Sequence, residues 1–237
     1  MPTAEPLPPP PWVRGANKSG RRQLSLEAIL ESAMRILESE GLDAVTMRRV
    51  AQDMGTAAGS LYAHVRNKAE LHELLLDAAL APVHVPEPDP ARWRDQLLEL
   101  LTGTARAMVA KPGIARVSME TAIPTTPNAL RLMDGVLALL DAGGIPPREA
   151  LAAADVLALH LTAAAYEMSV GGTPDAAAEE LQRRTSQITQ YLELLPPDRL
   201  SHLRAAQNLF ETEEEADVDG LRLGLEMLLD GLRARSR

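Results

Sequence analysis

The sequence predicts an all-α fold, with an N-terminal three-helix helix-turn-helix unit followed by a larger helical domain. Three observations carry that prediction. Apolar residues make up 46% of the 237-residue chain but aromatics only 3%, so the apolar stock is mostly Leu, Ala, Val and Met, which favour or tolerate helices. The apolar positions recur at three- and four-residue steps. The breaks between periodic stretches fall on prolines or paired glycines, with no internal repeat and no alternation long enough for a strand.

Residues 1–24 read as a disordered arm. They hold Pro2, Pro6 and the run Pro8 to Pro11, then the basic group Lys18, Arg21 and Arg22. The prolines suit a polyproline or unstructured segment, whereas the basic group can lie along phosphates or enter a minor groove. Ser25 is a good N-cap for a first helix through Leu26, Ile29, Leu30, Ala33, Ile36 and Leu37, which Gly41 stops. Thr46 caps a second helix over 47–54, closed by Gly55, and Thr56 caps a third over 57–64. Asn67 caps a fourth that runs to Pro82. Four prolines between 82 and 90 mark a connector, which divides the chain into 25–81 and 82–237. Beyond it the spacing predicts helices over 91–110, 113–123, 128–142, 147–170, 176–195, 197–210 and 218–235.

Net charge is -9, but it is unevenly spread. From Arg14 to Lys68 nine basic residues face six acidic ones, a local +3 against -12 for the remainder. A locally basic head can bind phosphate while an acidic body discourages indiscriminate adhesion. The chain has no cysteine, which removes disulfides, thiolate metal sites and cysteine nucleophiles. His72, His160 and His202 lack partners at metal-ligand spacing, so neither a metal nor a cofactor is expected. No stretch approaches about 18 consecutive apolar residues, and the Pro-rich start lacks the apolar core of a secretory signal. The expected location is the cytoplasm, without a membrane partner.

Between Met47 and His64 the demands of a helix-turn-helix are met. Ala51 is small where two helices cross, Gly55 relieves the turn, and Val50, Met54, Leu61 and Val65 can pack inward. That leaves Arg48, Ala57, Ala58, Gly59, Ser60, Tyr62, Ala63 and His64 for a groove. The stretch with Ala28-Ile29, Gly41-Leu42, Thr46-Met47-Arg48-Arg49-Val50-Ala51, Gly55, Leu61-Tyr62-Ala63-His64-Val65 and Asn67-Lys68 resembles the DNA-binding domain of the tetracycline-repressor (TetR) family. More weakly, Trp93, Lys111-Pro112-Gly113, Pro127-Asn128-Ala129-Leu130 and Gly143-Gly144-Ile145 resemble the ligand-binding domain of its tetracycline-repressor branch.

The resemblance implies double-stranded operator DNA as a partner, contacted through Thr46, Arg48, Ala58, Gly59, Ser60, Tyr62, Ala63, His64 and Lys68. Arg48 would meet phosphate or guanine, Ser60 and Tyr62 phosphate or base edges, with His64 and Lys68 on the backbone. The small Ala57, Ala58, Gly59 and Ala63 shift the expected readout towards DNA shape. Gly59 weakens its helix by about 1 kcal/mol relative to Ala. Either that helix firms up on DNA or its backbone approaches the duplex closely.

In the body, the Ala-rich stretch 147–170 is apolar nearly all round, and 218–235 carries Leu221, Leu225, Leu228, Leu229 and Leu232 with Gly220 and Gly224. The resemblance implies that these two helices form a four-helix homodimer interface with a second copy; burial inside a monomer is the other reading. For a small-molecule effector the candidate pocket residues are His84, Leu100, Thr104, Met108, Ser118, Met119, Thr121, Met133, His160 and Tyr166, with Met168 beside them. Ser118 stands where tetracycline-binding relatives place a magnesium-holding histidine, whereas His84 matches another drug-holding histidine. That combination favours an apolar or polycyclic effector over magnesium-tetracycline. The expected function is a repressor released from its operator by ligand, through a shift of the fourth helix worth about 1–3 kcal/mol of coupling. The alternatives are an activator, and a helical interaction protein whose helix-turn-helix only packs. No converging acid, base and nucleophile points to an enzyme.

Overall fold

The structure, a computed structural model, describes residues 24–121, 123–169, 174–206 and 216–235. Lys18, Arg21 and Arg22 lie outside the described residues. Among the described residues there are only helices. The head comprises α1 (Leu26–Glu40), a 3-10 turn (Leu42–Ala44), α2 (Met47–Asp53) and α3 (Ala58–Leu61). Next comes α4 (Lys68–Leu80), then the body: α5 (Trp93–Val109), α6 (Ile114–Glu120), α7 (Pro127–Ala142), α8 (Pro147–Ser169), α9 (Pro174–Glu193), α10 (Ser201–Ala206) and α11 (Ala216–Arg235).

Helix ends in the head follow local chemistry. The Ser25 and Thr46 hydroxyls accept from Ala28 N and Arg49 N, each at 3.1 Å, and the Asn67 carbonyl oxygen accepts from Glu70 N at 2.9 Å, satisfying donors that a helix start leaves orphaned. The third helix corrects the expectation. It covers four residues rather than eight, it starts after Ala57, and neither Thr56 nor Ala57 supplies a side-chain cap. An uncapped start and Gly59 both weaken it, and Tyr62 to His64 continue only as a turn. The stretch 197–210 likewise does not begin as a helix. Leu200 has φ 52, a left-handed conformation that interrupts a right-handed helix, so α10 starts at Ser201.

Packing explains why α4 is apolar on most of its surface. It touches α1 on one side and α5, α6 and α7 on the other, burying Leu71, His72, Leu74, Leu75, Leu76, Ala79 and Leu80. One continuous core therefore joins head to body. Two glycines mark close approaches. Gly113 has φ 80 and would place a Cβ 2.6 Å from the Leu42 Cβ. Gly143 lies flat against the Trp93 indole, where a Cβ would be 2.6 Å from ring carbons.

The helix α8 is long and apolar, as its Ala- and Leu-rich sequence predicts. By length and composition it could cross a membrane, with a mean hydropathy of 1.2 over its most apolar window. Only 17% of that window is buried within the protomer. Leu151, Val156, Leu159 and Tyr166 are exposed on α8, as are Leu223 and Met227 on α11, which packs against it. This broad apolar face fits the expected pairing with a second copy.

Candidate functional site

Ion pairs hold α2 on α1. The buried Ser32 hydroxyl donates to Asp53 Oδ2 at 2.6 Å, and Arg35 meets the same oxygen at 2.8 Å. Those two bonds hold the Asp53 carboxyl below its usual range. Arg49 forks onto Glu40, which lowers the glutamate's pKa and raises the arginine's. Arg66 is tied to Glu70. These pairs consume most of the head's described positive charge. Arg48 at the start of α2 and Lys68 at the start of α4 remain exposed, and neither makes a hydrogen bond or ion pair among the described residues.

Val50, Ala51, Leu61 and Val65 are buried and Met54 packs partly against them. By helical and turn geometry, Arg48, Gly59, Ser60, Tyr62 and Ala63 are left exposed, with Ala58 and His64 half-buried. Thr46 spends its hydroxyl on the α2 cap. The expected DNA-facing set therefore gathers around α2, α3 and the first turn of α4.

Head and body also meet along a seam beside α4. Arg116 of α6 reaches Asp43 of the 3-10 turn at 2.6 Å, holding that carboxyl below its usual range. Lys111 pairs with Glu38, and Gly113 abuts Leu42. His72 of α4 is buried and its Nε2 lies 3.1 Å from Val45 O.

The candidate pocket residues are less united. A cavity of about 390 Å³ lies under the connector, lined by Pro82, Val83, His84, Pro86, Gln96, Glu99, Leu100, Gly103 and Ala107. Of the sequence candidates it takes only His84 and Leu100. Thr104 is buried with its hydroxyl bonded to Leu100 O, and Met108 is core. Met119, Met133 and Tyr166 are exposed. Ser118 pairs with Thr162 at 3.3 Å and Thr121 bonds back to Val117 O. His160 rests its ring on Gly224, its Nε2 buried without a hydrogen-bond partner among the described residues, and Met168 packs partly on the core.

Gln96 was not foreseen. Its amide accepts from Asp89 N at 2.9 Å and donates to Glu87 O at 2.8 Å, pinning the connector over the cavity. A buried Gln one turn into an amphipathic helix after a Pro-rich segment is a usable signal for such a pin.

Comparison with known proteins places this arrangement. A family profile described as "Tetracyclin repressor-like, C-terminal domain" matches residues 85–236, and one described as "Bacterial regulatory proteins, tetR family" matches 29–75. The chain belongs to the TetR family. This TetR-family chain is a DNA-binding, ligand-responsive transcriptional regulator. It is 28% identical over 229 residues to the HTH-type transcriptional repressor DrrR1 of Streptomyces coeruleorubidus, covering 92% of this chain and 81% of that one. Apo ActR of Streptomyces coelicolor superposes with a TM-score of 0.79 at 33% identity, covering 92% of this chain and 98% of ActR. ActR has also been solved in complex with actinorhodin, at the same TM-score of 0.79 and 34% identity over 90% of this chain and 97% of that one. These relatives are regulators rather than enzymes. TetR-family regulators act as dimers, which accounts for the exposed apolar face of α8 and α11.

Proposed function

We propose that this TetR-family regulator is a cytoplasmic repressor that leaves its operator when an apolar or polycyclic effector enters the cavity beneath the connector. Its working units are 25–81 for DNA and 82–237 for ligand and dimer, with the arm of 1–24 supplying Lys18, Arg21 and Arg22 to phosphate. The observation that carries the DNA side is the pair of exposed cations, Arg48 and Lys68, which have no ion-pair partner among the described residues and flank Ser60, Tyr62 and His64 in the helix-turn-helix. Backbone contacts of that kind position a protein on a duplex while base edges and groove shape specify the sequence.

On the effector side, the cavity has the size of small-molecule sites, about 300–1,000 Å³. Leu100, Gly103, Ala107 and the prolines offer apolar contact, with His84 and Glu99 as polar anchors. ActR, at 34% identity, holds actinorhodin, which supports a ligand of that class here. The residues Thr104, Met108, Ser118, Met119, Thr121, Met133, His160 and Tyr166 are proposed to contribute only by rearrangement on binding. Residues 82–86 both wall the cavity and continue α4, so a ligand there shifts α4 and with it the spacing of the two recognition helices. The Arg116–Asp43 seam gives a second route from α6 to the head.

The test is a gel shift on the DNA upstream of the regulator's own gene, at several salt concentrations, followed by titration with actinorhodin. Salt-sensitive binding that actinorhodin weakens by about 5- to 150-fold is expected. Absence of any shift at micromolar protein would favour a helical interaction protein instead, and tighter binding with ligand would favour an activator.

A further inference from the structure

The helices α4 and α7 cap one another. Every helix start leaves amide donors orphaned and every helix end leaves carbonyls orphaned. At the start of α7 the local residue Thr126 makes no side-chain cap. Asp77 of α4 takes its place: its Oδ1 accepts from Asn128 N at 2.8 Å and Ala129 N at 3.4 Å, and its Oδ2 from Asn128 Nδ2 at 2.9 Å. In return Arg131 of α7 donates to the end of α4 and to the connector just beyond it, with Nη2 to Leu80 O and Ala81 O at 3.3 and 3.4 Å and Nη1 to Val83 O at 2.9 Å. The carboxylate sits at a helix N-terminus and the guanidinium at a C-terminus, so both complement the helix dipoles.

We propose that Asp77, Asn128 and Arg131 form the fixed pivot of α4, the point about which the head swings relative to the body. Their placement supports it. On one side of the clamp the chain enters residues 82–86, the cavity wall; on the other it runs up α4 to Lys68 and the head. From Asp77 back to Lys68, at the start of α4, the helix spans about 14 Å, so a tilt of about 5° at the clamp displaces the far end by about 1 Å. Without a fulcrum, pressure on the connector is absorbed as local slack and the head moves independently of the cavity. Asp77 and Arg131 are therefore positioning residues that touch neither DNA nor effector. The inference rests on the proposed reading of α4 as transmitter.

The chain has no cysteine, so single spin labels are clean. Ala69→Cys labels the exposed start of α4 and Asp95→Cys the exposed side of α5, each giving one interprotomer distance in the dimer. In the effector-free, DNA-free dimer, Arg131→Ala and Asp77→Ala are expected to broaden the distance distribution at position 69 about twofold while leaving that at 95 unchanged. Arg131→Lys and Asp77→Asn, which keep a donor and an acceptor in place, are expected to restore part of the narrowness. Helicity by circular dichroism is measured on each variant. An unchanged distribution at 69 overturns the pivot, and so does equal broadening at both positions, the mark of general loosening. The reading of α4 as transmitter fails on a different observation: wild-type distances at 69 that are identical in the free and DNA-bound dimer.

Discussion

Two exposed surfaces of this molecule contrast sharply in chemistry. The surface of α2, α3 and the start of α4 exposes Arg48, Ser60, Tyr62 and Lys68, whereas that of α8 and α11 exposes Leu151, Leu159 (65% accessible) and Met227 (67%). Within one protomer both count as solvent-facing. The head surface pairs neighbouring arginines but leaves Arg48 and Lys68 without an ion-pair partner among the described residues, which costs little in water and prepares the region for phosphate. The body surface leaves large apolar side chains that water does not solvate favourably, and it needs a second copy to cover them. Exposure alone therefore says that a partner is missing, and the chemistry of what is exposed says which one.

The contrast is broken most forcefully from the body side. Leu159→Glu puts a carboxylate into the dimer face and is expected to cost more than about 3 kcal/mol of dimerisation free energy. Analytical ultracentrifugation should then show monomers, and operator binding should disappear with them although the head is untouched. A dimer that survives this change would mean that the α8 face serves something else. Next in size is the seam joining the two regions. Gly113→Ala meets both a left-handed backbone and the Leu42 side chain, for an expected loss of about 1–3 kcal/mol, read as a lowered Tm.

Smaller effects sharpen the head side. Arg48→Ala and Lys68→Ala are each expected to weaken operator binding by about 1–2 kcal/mol, and to reduce the salt slope by about 0.9 if one phosphate contact is lost. Sedimentation should show an intact dimer in both. If either variant dissociates, the two surfaces are not independent. The smallest effect concerns His72. Burial is the main influence that depresses its pKa from the ordinary 6.5, with the bond to Val45 O opposing and the Lys68 and Arg116 charges adding. The unfolded chain then takes up a proton before the folded one does as pH falls through about 6.5. Stability should thus decline below that pH and be unaffected by this group above it. His72→Gln should flatten the decline in urea unfolding measured across pH 5–7.

Much of this was legible locally. Ser25, Thr46 and Asn67 announced three helix starts because an N-cap acts within three residues of itself. The spacing of Val50, Met54, Leu61 and Val65 predicted the inward side of the helix-turn-helix for the same reason, although Met54 is only partly buried. The length of α3 was misread because Thr56 looked like a cap, whereas the chain spends no side chain there. The pocket was the least legible part. Thr104, Met108, Met119 and Met133 share a composition suited to ligand binding, but their burial differs with how neighbouring helices are placed around them. The choice between dimer interface and monomer interior for 147–170 stayed open for a related reason, since an apolar helix carries no mark of whether its own core or a second protomer will cover it.

The sequence by itself determined the helical class, the caps at Ser25, Thr46 and Asn67, the helix-turn-helix and the family, because each depends on interactions within a few residues or on a motif of set spacing. Only the tertiary structure decided that Asp77 caps a helix 50 residues away, that Arg131 answers it, that Gln96 pins the connector and that the cavity lies beneath residues 82–86. Those pairings depend on where α4, α5 and α7 meet in space, and the physical reason is that a hydrogen bond senses angstroms of separation rather than distance along the chain.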